Sequence, residues 1–184
     1  MRSSSVSSSL AALAVLLFAA CAGAPPAARP ARETVEGVLS VDGDRPFERR
    51  IVLDAHGGGR RALVATDLEA ELFLLDGLGV RVVGRAVTAA GAHAFAVENY
   101  ELLPIEGIPP SVGVVVVEGD RVLVQSAAAG EDLLLAGALA GALRAHAGMK
   151  VWVWGTFAEP DAGRRALSVR AYGVLGPGPG VTRP

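Results

Sequence analysis

The stretch GVLSVDGDR at 37–45 returns as GVVVVEGDR at 113–121, with six of nine positions identical and Asp42 replaced by Glu118, an offset of 76. A second pair, GLGVRVVG at 77–84 and GMKVWVWG at 148–155, is offset by 71. Phe95, Val97, Tyr100 and Leu103 then match Leu167, Val169, Tyr172 and Leu175 at an offset of 72. Offsets this similar mean that one fold is used twice with small, local length changes. Every element assigned in one copy must therefore have a counterpart in the other.

Each copy yields the same order of elements. In the first, Val35 to Val41 is strand-like and ends at a Gly-Asp turn, and Ile51 to Leu53 and Ala62 to Thr66 flank the hairpin glycines of HGGG. Asp67 can cap a helix carrying Leu68, Leu72 and Leu75 at helical spacing, and Gly77 stops it. Val80 to Val87 and Ala94 to Leu103 supply two more strands. The second copy predicts strands near 112–117, 122–126 and 133–135, a helix near 138–147 and strands near 151–157 and 166–175. The run 133–143, which contains Gly137-x-x-x-Gly141, reads as a strand leading into a helix whose Gly and Ala let it lie close across the barrel end. Three strands, a helix and two strands is the order of the OB-fold, a five-stranded Greek-key barrel. The predicted fold class is mainly β, with two tandem five-stranded OB-like barrels at 35–103 and 112–175, each with one helix between strands 3 and 4. Units this small are marginal alone, so docking is expected, and the Pro-rich linker 104–111 is stiff enough to fix a mutual arrangement.

Ahead of the repeats, Arg2 and a serine-rich stretch precede eleven apolar residues, Leu10 to Ala20, and then Cys21, the sole cysteine. A charged start and a short apolar run mark residues 1–20 as a secretory signal peptide. The run is too short for a spanning helix, which needs about 20 apolar residues. Phe18-Ala19-Ala20-Cys21 resembles the lipobox of bacterial lipoproteins, with Phe18 where Leu, Val or Ile is usual. The resemblance implies lipidation of Cys21 as the mature N-terminus, and hence a membrane partner engaged through that lipid. Ordinary signal cleavage at Ala20-Cys21-Ala22 or Ala22-Gly23-Ala24 is the alternative, and would discard the cysteine. Because Ala22 and not Asp follows Cys21, the family's sorting rule points to the outer membrane, facing the periplasm. Residues 21–34 read as a Pro/Ala tether and 176–184 as a disordered tail.

Composition narrows the partners. The first unit carries 7 basic and 11 acidic residues and the second 6 of each, so neither offers the basic, aromatic-lined groove that single-stranded nucleic acid requires. Nucleic acid is excluded as a partner on this reading. Arg49/Arg50 and Arg60/Arg61 read as a solvated surface paired with Glu48, Asp54 and Asp67. His56, His93 and His146 are scattered without ligand spacing, no serine stands in a nucleophile-elbow context, and HGGGRR lacks the Lys-Ser/Thr of a phosphate loop. No catalytic, cofactor or metal site is expected, and an enzyme is not indicated.

Two functional classes remain. One is a membrane-tethered, non-catalytic structural or interaction protein of the bacterial cell envelope. The other is a ligand-binding module for an oligosaccharide, a peptide or a small apolar molecule. The candidate contact surface is Trp152 and Trp154, which share a strand face with Lys150, opposite Val151 and Val153. Since Lys150 and Arg81, the first-copy counterpart of Trp152, both call for water, this face is expected to point outward, either as a binding surface or packed at an internal domain interface.

Overall fold

The computed structural model describes residues 31–45, 48–89, 91–126, 132–161 and 163–178. The expected signal peptide, Cys21 and most of the expected tether, and the expected tail from residue 179 lie outside the described residues. The chain forms β1 (Glu33–Asp42), β2 (Arg50–Ala55), β3 (Arg60–Val64), α1 (Glu69–Phe73), β4 (Gly79–Ala89) and β5 (Ala92–Leu102). It then repeats with β6 (Ser111–Glu118), β7 (Arg121–Gln125), β8 (Asp132–Ala136), α2 (Ala138–Leu143), a 3-10 turn at Arg144–His146, β9 (Met149–Asp161) and β10 (Arg164–Pro177).

Both copies close into five-stranded barrels in the order β1-β2-β3-β5-β4 and β6-β7-β8-β10-β9. In each, one parallel pair, β3 with β5 and β8 with β10, stands among antiparallel neighbours. This is the OB-like architecture that the repeat predicts. Strand alternation places its inward residues as expected, since Val80, Val82, Val151 and Val153 are all 0% exposed. The repeated glycines have a shared cause. A Cβ on Gly84 would stand 2.0 Å from the Ala96 carbonyl oxygen, and one on Gly155 would stand 2.0 Å from that of Ser168. Both sit where the fourth strand of a barrel presses on the fifth, and only hydrogen fits.

Several boundaries differ from expectation. β1 begins at Glu33, two residues inside the predicted tether, because Glu33 and Thr34 pair with Gly84 and Val83. β10 runs to Pro177, so the predicted tail loses Gly176 and Pro177 to a strand. Pro177 lacks an N–H but ends the ladder, and Gly178 N–H donates to the Gly148 carbonyl at 2.9 Å. α1 is a single short turn whose N-cap is Leu68, with no side-chain cap, so Asp67 does not cap it. Burial of Leu72 and Leu75 holds it in place. In α2 the close-packed positions are Ala140 and Leu143, while a Cβ on Gly141 would meet open space, so its smallness is not what lets the helix approach. The linker folds back on itself: Ile105 and Ile108 exchange backbone hydrogen bonds of 3.0 and 2.9 Å around Glu106 and Gly107, both with positive φ. That is the twist of a two-residue primed turn.

Candidate functional site

The faces that the two barrels turn to each other follow from a difference between the copies. In the first barrel Arg81 and Glu101 are cross-strand partners on an outward face, with Arg81 Nη1 donating to Glu101 at 3.1 Å. Arg81 Nε also donates to Glu36 at 2.7 Å, and that bond, with its charge, raises the guanidinium pKa. The equivalent partners in the second barrel are Trp152 and Gly173. The indole lies so flat against that strand that a Cβ on Gly173 would come within 2.4 Å of Trp152 Nε1. A water-facing ion pair has become an apolar plate.

That plate is covered. Trp152 and Trp154 are each 8% exposed, and with Leu175 they belong to the same continuous apolar cluster as Leu39, Leu53, Leu72, Leu75 and Phe95 of the first barrel. Trp154 Nε1–H donates to the Ile105 carbonyl of the linker turn at 2.9 Å. Trp152 Nε1 is buried without a hydrogen-bond partner among the described residues. Leaving it unpaired costs about 1–3 kcal/mol. Burying an indole of about 200 Å² returns up to roughly 5 kcal/mol at 25 cal/mol/Å², so burial wins. The face leaves the second barrel's core as expected, and of its two readings the structure shows the internal domain interface: it meets the first barrel and the linker, because two large apolar rings gain more there than in water.

Lys150, expected in water, is drawn into the same interface. Its Nζ lies 2.9 and 2.7 Å from the two carboxylate oxygens of Glu71 on α1. The Tyr100 hydroxyl donates to Glu71 Oε2 at 2.6 Å, and Lys150 stands 6.0 Å from the Tyr100 ring centroid. Burial first, then the hydrogen bond and charge of Glu71, push the Tyr100 phenol well above its usual value. One carboxylate on the first barrel therefore serves a cation on the second and a phenol of its own barrel.

Beside this latch the barrels frame a groove of about 490 Å³. Leu68, Tyr100 and Leu102 come from the first barrel, Pro110 from the linker, and Val112, Val124, Leu133, Phe157 and Arg165 from the second. It touches the end of the second barrel where Gln125 pairs with Asp132, away from the end where Leu135 leads into α2. Phe157 is 49% exposed, with the Arg165 guanidinium 4.4 Å from its ring centroid. Cys21, the expected lipidation site, lies outside the described residues.

The sequence reading named the tryptophans but missed Glu71, Tyr100, Phe157 and Arg165. A signal for the interface was available in the aligned copies, where Arg81 and Glu101 become Trp152 and Gly173 together. None existed for the groove, whose walls are far apart in the chain.

No family model matches the chain, and no curated protein matches it. Among solved structures it is similar to the tetrameric p202 HIN2, with 10% identity and a TM-score of 0.28 over 79% of this chain and 93% of that one. It is also similar to a murine DNA binding protein bound with ds DNA, with 10% identity and a TM-score of 0.21 over 76% of this chain and 92% of that one. The exclusion of nucleic acid drawn from charge is corrected on this point, because the second of these chains is bound to DNA. Likeness at these scores assigns no ligand here.

Proposed function

We propose that this chain is an exported, lipid-anchored, non-catalytic binding module of the bacterial cell envelope, in which two OB-like barrels are docked so as to frame one ligand groove. The groove carries the reading. Its volume lies in the range of about 300–1,000 Å³ usual for ligand sites, and its walls mix aliphatic and aromatic side chains with a few polar groups. The run from Leu10 to Cys21 supports export and an anchor at Cys21, and Ala22 rather than Asp after it favours the outer membrane by analogy with bacterial lipoproteins. The barrels are closed, so a ligand has no free strand edge to extend and must be held by side chains.

Thermal unfolding of the full chain against envelope glycans, peptides, small amphiphiles and double-stranded DNA tests the groove. A ligand at one hundred times its Kd adds about 2.7 kcal/mol, a rise of roughly 5–10 °C for a chain of this size. No shift from any of them, together with a specific protein co-purifying from native membranes, would replace this reading with that of a structural or interaction protein. For the anchor, Cys21→Ala should move the protein out of the membrane fraction, and unchanged membrane association overturns the claim.

A further inference from the structure

One short reversal of the chain joins the two barrels. Pro104 stands before it, and Pro109 and Pro110 follow it. Each proline fixes its own φ at about −65° and turns the residue ahead of it away from the helical region, so the arms on either side are stiff and extended. The chain turns back at Glu106 and Gly107, with φ of 50° and 79°. Paired backbone hydrogen bonds between Ile105 and Ile108 close that turn. Glycine adopts such a backbone freely, whereas a glutamate is strained there, Asn or Asp being the usual first residue of a primed turn.

What holds the barrels together does not depend on how the chain connects them. Trp152, Trp154 and Leu175 belong to the second barrel, and Leu72, Leu75 and Phe95 to the first. Glu71 and Lys150 likewise come one from each. Even the bond from Trp154 to the Ile105 carbonyl reaches the arm on the first-barrel side of the turn, where Ile105 shares a small crevice with Leu78, Gly79 and Leu103. A second barrel from another copy would satisfy all of these contacts equally well. Their pairing within one chain rests on proximity. A short linker that reaches acts as an effective concentration in the millimolar range, and one that cannot reach contributes nothing. Opened at 106–107, the residues from Pro104 to Ser111 extend for up to about 26 Å and carry the second barrel away from its own partner surface.

We infer that the Glu106–Gly107 turn is a conformational lock. Closed, it keeps the chain a monomer docked on itself. Opened, it releases the second barrel to dock on the first barrel of another copy, giving an exchanged dimer in which every interface and every groove is shared by two chains.

The test uses the full chain carrying Cys21→Ser, so that no acyl group is attached, with light scattering after size-exclusion chromatography. Glu106→Pro combined with Gly107→Val forbids both positive φ angles and leaves Ile105 and Ile108 in place. Well below millimolar concentration this variant should shift the mass from one chain to two. Gly107→Ala meets no atom within 4 Å and strains only the backbone, so it should fold and give a dimer fraction between that of the parent and that of the double variant. Charge reversal at the latch tells exchange from any other association. In the opened background, Glu71→Lys sets two cations against each other and Lys150→Glu sets two carboxylates, so neither chain pairs well with itself. An exchanged dimer of one chain with the other restores opposite charges at both interfaces. Native mass spectrometry with one chain isotope-labelled should then show more mixed dimer than random assortment gives. A turn-opened chain that stays monomeric, with its barrels docked or apart, overturns the inference, and so does random assortment. If the double variant does not fold, Gly107→Ala decides, and a dimer fraction equal to the parent's overturns the inference.

Discussion

At the scale of single residues, two kinds of small side chain separate cleanly. Gly84 sits 2.0 Å, measured from where a Cβ would be, from a carbonyl on the neighbouring strand, so the added methyl of Gly84→Ala must displace backbone. Overpacking of this kind costs about 1–3 kcal/mol or more. Each kcal/mol lowers Tm by about 2–4 °C in a chain of this length, which a melting curve resolves. Gly141 is helical with open space around it, so Gly141→Ala should raise stability by up to about 1 kcal/mol in the same measurement. Tyr100 makes a prediction about pH. The folded protein holds its phenolic proton more tightly than the unfolded chain, for which the value is about 10. Its stabilisation is therefore fully present below pH 10 and is lost as pH climbs towards the higher folded value. In an alkaline titration followed by phenolate absorbance, Tyr100 should ionise only as the protein unfolds. Tyr100→Phe should flatten the fall of stability with rising pH above 10, and an unchanged slope would show that burial and Glu71 together do not hold that proton.

At the scale of elements, β9 carries two functions on its two faces. Val151 and Val153 fill the second barrel, while Trp152 and Trp154 finish the apolar cluster of the first. Trp154→Ala removes a buried ring and its bond to the linker turn, and large-to-small changes at such sites cost about 3–5 kcal/mol. The loss should appear as a lower Tm for the whole chain, and a variant melting like the parent would refute the packing role. α1 is tied to β9 by the Glu71–Lys150 pair, both side chains being largely withdrawn from water. A double-mutant cycle with Glu71→Gln and Lys150→Met should give a coupling of about 0.5–3 kcal/mol. A value near zero would mean that the tryptophans alone dock the barrels.

At the scale of the whole molecule, the shared cluster predicts one cooperative unit in place of two beads on a string. Calorimetry should show a single transition, and two resolved transitions would mean that the interface contributes little. Expressed alone, the second barrel would present Trp152, Trp154 and Leu175 to water. Size-exclusion chromatography of residues 104–178 should show self-association, because a contiguous apolar face of that size seeks a partner.

How much of this could be read from the chain differs by scale for a physical reason. Strand alternation, turn glycines and a duplicated pattern are local, repeated signals, so the repeat by itself determined two five-stranded barrels, their element order and the inward set Val80, Val82, Val151 and Val153. The close approach at Gly84 and Gly155 was marked in the sequence only as conserved spacing between copies, and the structure supplies its cause. That the Trp152 and Trp154 face is covered was signalled by the change from Arg81 and Glu101 to Trp152 and Gly173 between the copies, but whether a partner or the first barrel covers it has no local signature, because an outward strand face looks the same until something packs on it. Glu71 meets Lys150 across 79 positions, and Leu102, Val124 and Arg165 converge on one groove from three strands of two barrels. Only the docking of the closed barrels brings those groups together, and that arrangement is decided by apolar area shared between units, a quantity that no segment of the chain contains on its own.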